Sequence, residues 1–213
     1  MNKYIATTIL CMIICFLPVI GKPHLYLNPS FLTVVFFFYL LFFTQPTFKA
    51  SDMYKNSETD KFSMGFITLG VIIVLSGAIT YWAYFANSTE LSWNLYTTTG
   101  ISLLILGSGI RIWAIRHLGK FFTNSVQFDS RHQLITTGPY KMIRHPSYLG
   151  AYLAIIGSAL FLNAILIFCI GVVIMFAAYL YRIQVEEIGL KKTFEKEYPI
   201  YQNNTKRLIP FIY

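Results

Sequence analysis

The sequence predicts an all-α integral membrane protein with about six transmembrane helices, and three observations carry that expectation. Of its 213 residues, 55% are hydrophobic and only 12% are charged, about half the roughly 25% charge of an average globular chain. So few polar groups cannot cover so much apolar surface in water. The apolar residues also gather into six runs, roughly 4–20, 28–44, 64–86, 95–115, 148–162 and 164–182. Finally, the basic residues fall between these runs and favour one side of them.

The first run follows Lys3 like the core of a signal peptide. Leu17-Pro18-Val19-Ile20-Gly21 is a poor cleavage site, so the run is expected to remain as a helix. It and the second run are marginal against the ~20 residues that cross hydrocarbon, which the third and fourth meet. The fifth and sixth form one apolar stretch too long for a single span, with Leu162-Asn163-Ala164 near its middle. Two antiparallel helices joined by a very tight turn are expected there, with both ends on the same side.

Placing the N-terminus in the cytoplasm makes 45–63, 116–147 and the tail after 182 the inner segments. These hold Lys49, Lys55, Lys61, Arg116, Lys120, Arg131, Lys141, Arg144 and the basic residues from Lys191 to Arg207, whereas the outer segments hold only Lys22. This is the positive-inside pattern. Dropping one marginal span would reverse the N-terminus and leave the C-terminal half unchanged. The expected organisation is N-terminal transmembrane helices over 1–95 and a core over 96–213. The core comprises a cytosolic loop (116–147), the hairpin (148–182) and a cytosolic tail.

The net charge of +8 does not suggest nucleic acid, because the basic residues form no stripe. Cys11, Cys15 and Cys169 all lie in apolar runs without a CxxC pair or a His/Cys cluster, so neither metal nor disulfide framework is expected. Gly107-Ser-Gly109 begins like a dinucleotide fingerprint but sits inside an apolar helix with no strand before it; close helix packing is the expected use. Asn87-Ser-Thr89 is a glycosylation acceptor only in a cell that glycosylates.

The hairpin brings two polar clusters to one face. In Arg144-His145-Pro146-Ser147-Tyr148, proline suits a first helical turn, so a helix is expected to start near His145. Its free N–H groups, dipole and Arg144 favour a phosphate or carboxylate; the alternative is an arginine snorkelling to headgroups. Arg182 and Glu186, four apart, share a helix face. As a simple ion pair they would contribute only about 0.2–0.5 kcal/mol, in the weaker order. Adjacent Glu186 and Glu187 at a membrane-proximal helix end point instead to a site.

GPYKMIRHPSYLG, then an apolar hairpin, then RIQVEEIGLKKTFEKEYPIYQNNTKRLIPFIY, resembles the isoprenylcysteine carboxyl methyltransferase family, most of all its short prokaryotic members. RIWAIRHLGKFFTNSVQ (111–127) resembles the stretch upstream of that motif, so the likeness covers roughly 100–213. It implies a polytopic, bacterial inner-membrane protein that binds S-adenosylmethionine at the cytosolic surface. Its substrate would be a lipophilic molecule such as a C-terminal prenylcysteine, methylated on its carboxylate. By the same resemblance, cofactor contacts fall on Gln127, His132, Gln133, Leu134, Ile135, Tyr140, His145, Pro146, Ser147 and Tyr148, with Glu186 joining from the other side. Arg182 takes the substrate carboxylate. The spacing from Gln127 to His132 is shorter than in the eukaryotic members.

The residues fit these roles. No segment outside the spans is long enough for a soluble methyltransferase domain, so loops and helix ends must hold the cofactor. Arg144 and the Pro146 helix start suit its carboxylate, and Glu186 its ammonium or ribose. Tyr140 and Tyr148 offer faces to adenine or the sulfonium. An acceptor carboxylate is already ionised at neutral pH, so alignment replaces base catalysis, and a planar guanidinium grips a carboxylate in two places.

Three rivals are weighed. Phospholipid N-methyltransferases and small-thiol S-methyltransferases resemble the same region and would need a base, for which His132 or His145 is available. A membrane sterol reductase shares a similar hairpin and RHPxYxG-like sequence but uses a nicotinamide cofactor; doubled Glu186-Glu187 favours the methyltransferase side. Against a non-enzymatic membrane protein stand intact Arg182, Glu186 and His145.

Overall fold

A computed structural model describes residues 3–44, 62–122 and 133–209. Among these residues all regular structure is helical, apart from an isolated bridge between Ile143 and Lys206. Each of the six apolar runs forms a helix. Helix α1 (Lys3–Cys11) passes into a π-helical turn (Met12–Phe16) and a 3₁₀ turn (Leu17–Val19). Pro18 in that 3₁₀ turn has no N–H to donate and crowds the preceding turn, which accounts for the loosened helix.

Helix α2 (Pro29–Phe43) is capped by Asn28, whose side chain accepts from Ser30 N at 2.8 Å. Helix α3 spans Ser63–Tyr84, and α4 spans Leu95–Leu118 with Asn94 accepting from Thr97 N at 2.9 Å. Both caps satisfy an orphan N–H of the first turn. Helices α5 (Pro146–Phe161) and α6 (Ile165–Thr193) form the hairpin, and α7 (Glu197–Asn204) closes the tail.

Among the described residues, α3, α4 with its 3₁₀ extension to Phe121, and α6 are long and apolar enough to cross a bilayer, while Thr8–Val19, α2 and α5 are shorter apolar helices. Outward faces carry exposed Ile72, Ile105, Leu106, Leu166 and Val173. The chain is an integral membrane protein.

The reversal lies at Leu162-Asn163-Ala164. Asn163 takes a left-handed φ of 55°, which asparagine tolerates better than most residues. Its amide donates to Thr97 Oγ1 (2.9 Å) and its oxygen accepts from Asn94 Nδ2 (3.0 Å), so the tip is pinned to the start of α4.

Helices α4 and α5 touch backbone to backbone. A Cβ on Gly107 would lie 2.6 Å from Gly150 O, and one on Gly150 2.6 Å from Gly107 O. Small residues permit this approach, which is the packing expected of Gly107. Gly109 has nothing within 4 Å and takes no part.

The main departure from the sequence expectation is α6. The apolar run ends at 182 and a helix end is expected at Glu186-Glu187, yet the helix continues to Thr193. Buried Ile183, Val185, Glu187 and Gly189 give the extension an inner face on which the tail packs. The π-helical turn after α1 and helices α2 and α3 share one core with the hairpin: Ile14, Phe31, Val34 and Val74 pack with Ala154, Ala159 and Met175.

Candidate active site

The site forms where α5 begins. Pro146 occupies the first turn, and His145 O accepts from Tyr148 N (3.1 Å) and Leu149 N (3.2 Å). The chain beyond α7 pairs with this corner: Arg144 N donates to Lys206 O (2.8 Å) and His145 N to Arg207 O (3.2 Å).

One carboxylate ties these pieces together. Glu187 Oε1 accepts from Arg144 Nε at 2.9 Å and meets His145 Nε2 at 3.3 Å, while its Oε2 accepts from Arg207 Nη2 at 2.9 Å. Arg144 Nη1 also donates to the carbonyls of Gln202 and Thr205. The guanidinium expected to await an anion is thus directed into Glu187 and the tail, because a buried carboxylate demands compensation.

The second centre is Tyr148 Oη. It donates to Glu186 Oε2 at 2.5 Å and accepts from Arg182 Nε at 3.1 Å. Arg182, 2% exposed, also donates from Nη1 to Ser63 Oγ at 2.8 Å. Tyr148 therefore bridges the expected acceptor-gripping arginine and the expected cofactor-binding acid.

Two cavities meet here. The polar one encloses about 830 Å³ when the space of its open mouth is counted. Of the sequence-predicted residues, Gln133, Leu134, Ile135, Tyr140, Arg144, His145, Ser147, Tyr148, Arg182 and Glu186 line it. Pro146 is buried in the first turn of α5 and is not part of the wall. Gln127 and His132 lie outside the described residues. The other cavity, about 840 Å³ with its open mouth counted, is apolar and reaches down among α1, α2, α3 and α5. Phe122, Tyr148 and Arg182 line both.

Sequence reasoning missed two sets of residues. Arg111 of α4, 9% exposed, lines the apolar cavity. Its Nη1 donates to Ser147 O (3.0 Å) and Oγ (3.1 Å). An arginine within an apolar run was the available signal. Phe121, Phe122, Phe194, Tyr198 and Tyr201 complete an aromatic lining of the polar cavity. The fold alone brings the last three there, through the extended α6 and α7. Burial raises the phenols of Tyr140, Tyr198 and Tyr201 well above their ordinary value, so they act as neutral aromatic faces. Among the described residues, no group of three or more His, Cys, Asp or Glu could hold a metal ion.

The sequence model of the isoprenylcysteine carboxyl methyltransferase (ICMT) family matches residues 100–192. The protein-S-isoprenylcysteine O-methyltransferase of Saccharomyces cerevisiae is 38% identical over 127 residues, 59% of this chain and 53% of that protein. Protein-S-isoprenylcysteine O-methyltransferase B of Arabidopsis thaliana is 33% identical, over 53% of this chain and 58% of that protein. The Tribolium castaneum protein of the same name as the yeast one is 26% identical over 92% of this chain and 70% of its own length. The chain thus spans little more than half the length of the first two. A solved structure of the eukaryotic intramembrane Ras methyltransferase ICMT superposes over 99% of this chain and 95% of its own, with a TM-score of 0.53 and 22% identity. That likeness shows a shared fold.

Proposed function

We propose, since residues 100–192 match the sequence model of the isoprenylcysteine carboxyl methyltransferase family, that this chain methylates the carboxylate of an isoprenylcysteine-like, lipophilic acceptor. The methyl donor is S-adenosylmethionine, and the site opens on the cytosolic face of a bacterial inner membrane. One observation carries the reading: Tyr148 and Arg182 stand in the wall common to a polar and an apolar cavity. A donor on one side and a lipid on the other would meet at a guanidinium.

The residues present fit such a donor. Glu186 and the faces of Tyr140 and Tyr148 line the polar cavity and suit a group bearing an ammonium and a sulfonium. Gln133, Leu134, Ile135, His145 and Ser147 would complete its surroundings, with Gln127, His132 and Pro146 assigned by sequence alone. When bound, the donor supplies an electrophilic methyl carbon. Arg182 holds the acceptor carboxylate in two places, and Tyr148 fixes Arg182 against Glu186. Arg111 adds a second positive charge on the acceptor side. Apolar walls exclude water, which strengthens the attraction between carboxylate and guanidinium. The chemistry then rests on alignment. Residues 96–213 supply the polar groups, and 1–95 supply much of the lipid wall.

A charged acceptor fits better than an amine or thiol. Two guanidiniums line the acceptor cavity, whereas His145 lines only the polar cavity and turns its Nε2 to Glu187 at 3.3 Å.

The test supplies membranes holding this chain with methyl-labelled S-adenosylmethionine and a prenylcysteine analogue. A methyl ester releases volatile labelled methanol under base, which is the expected result. Label that stays non-volatile, as in a thioether or methylamine, overturns the carboxylate assignment. Binding of NADPH in place of S-adenosylmethionine overturns the methyltransferase reading.

A further inference from the structure

The apolar cavity has a floor. On α3 it is lined by Met64, Ile67, Thr68 and Val71, and on α5 by Tyr148, Ala151 and Ile155. Each set follows one face of a helix over seven residues, so at ~1.5 Å per residue the lined depth is about 10.5 Å. Below it the structure is solid. Val74 and Ala159 are 0% exposed, Ser158 and Val34 1%, and none of them lines the cavity.

An extended chain advances about 1.2 Å per bond, a third of the ~3.6 Å reach of one residue. A depth of about 10.5 Å therefore holds roughly nine bonds. An isoprene repeat has four bonds along its main chain, so two repeats fill the space from the Tyr148–Arg182 wall to the floor.

We propose that this cavity is a length gauge for two isoprene units, with Val71 and Ile155 as the specificity-determining residues at its floor. The inference rests on the function proposed above and deepens it, naming the lipid arm that the acceptor presents. A shorter arm leaves unfilled wall, which forfeits dispersion contacts. A third or fourth repeat cannot descend further. It must turn out between the helices into lipid, and apolar groups gain little by exchanging hydrocarbon for hydrocarbon.

The test compares dimethylallyl, geranyl, farnesyl and geranylgeranyl cysteines at equal mole fraction in bilayers, reading kcat/KM for base-labile methyl ester. The step from one isoprene unit to two, which fills the void above the floor, should raise it about tenfold, and further units, which remain in hydrocarbon, should change it by less than about threefold. Val71→Phe should shift the preference toward dimethylallyl, and Ile155→Ala toward farnesyl. These opposite shifts in a ratio do not follow from misfolding, which lowers all four rates together. Rates that rise steadily to geranylgeranyl, or ratios unmoved by both variants, overturn the gauge and leave the methyltransferase standing. No ester on any acceptor overturns the function itself and the gauge with it.

Discussion

The two adjacent glutamates separate structure from chemistry. Glu187 is 3% exposed and accepts from Arg144, His145 and Arg207. In Glu187→Gln a neutral amide replaces the carboxylate, and two guanidiniums lose their counter-charge in a mostly buried place. Breaking a buried pair from one side costs about 3–5 kcal/mol. At 2–4 °C per kcal/mol for a chain of this size, the melting midpoint should fall by roughly 6–20 °C. The tail should loosen as well, since Arg207 is one of its anchors. The assay is thermal unfolding in detergent, with limited trypsin digestion reporting on the bonds after Lys206 and Arg207. Glu186 is only half-buried, and its carboxylate accepts from Tyr148 at the cavity wall. Glu186→Gln should melt near the wild-type temperature and lose donor affinity instead. The reasoning is refuted if Glu187→Gln melts with the wild type while Glu186→Gln collapses.

Three further outcomes are expected. Gly150→Ala places a methyl 2.5 Å from Arg111 N, so the α4–α5 contact should open at about 1–3 kcal/mol, a range typical of overpacking. Gly109→Ala, in open space, should stay within about 0.5 kcal/mol; equal effects by thermal unfolding would deny the close packing. Tyr148→Phe removes a hydroxyl bonded to two ions. Hydrogen bonds to charged groups contribute about 1.5–3 kcal/mol, so kcat should fall roughly tenfold to a hundredfold, and an unchanged kcat would remove Tyr148 from the site. Burial, the largest cause, holds the phenols of Tyr140, Tyr198 and Tyr201 above their ordinary value. The unfolded chain therefore loses these protons first as pH rises past ~10. Stability should be flat from about pH 7 to 9 and fall above ~10, less steeply in Tyr198→Phe; a melting midpoint that rises there contradicts the burial of these phenols.

Much of the fold was legible because the bilayer sets the length of an apolar run. The six runs and the reversal at Asn163 follow from hydropathy and one polar residue in a long apolar stretch. The last turns of α6, from Glu187 to Thr193, were hidden, since their inner face exists only once the tail packs on it. Arg144 was legible only in part for a related reason: its sequence neighbours suit an anion and it lines the polar cavity, but Glu187, 43 residues away, takes its Nε. No local pattern tells which of two adjacent glutamates will turn inward. Tyr198 and Tyr201 reach the cavity only through α7, a short helix without a strong apolar signal. Arg111 was visible as a charge inside an apolar run, and its partner Ser147 was already in view; the backbone contact of Gly107 with Gly150 is what joins them.

The most direct trial of the central claim is a paired measurement on Arg182→Ala: S-adenosylmethionine binding by calorimetry, and methyl-ester formation from a prenylcysteine acceptor. If the guanidinium at the meeting of the two cavities grips the acceptor, donor binding persists and ester formation falls by about a hundredfold or more. Ester formation at the wild-type rate, or binding and transfer lost in equal measure, would contradict it.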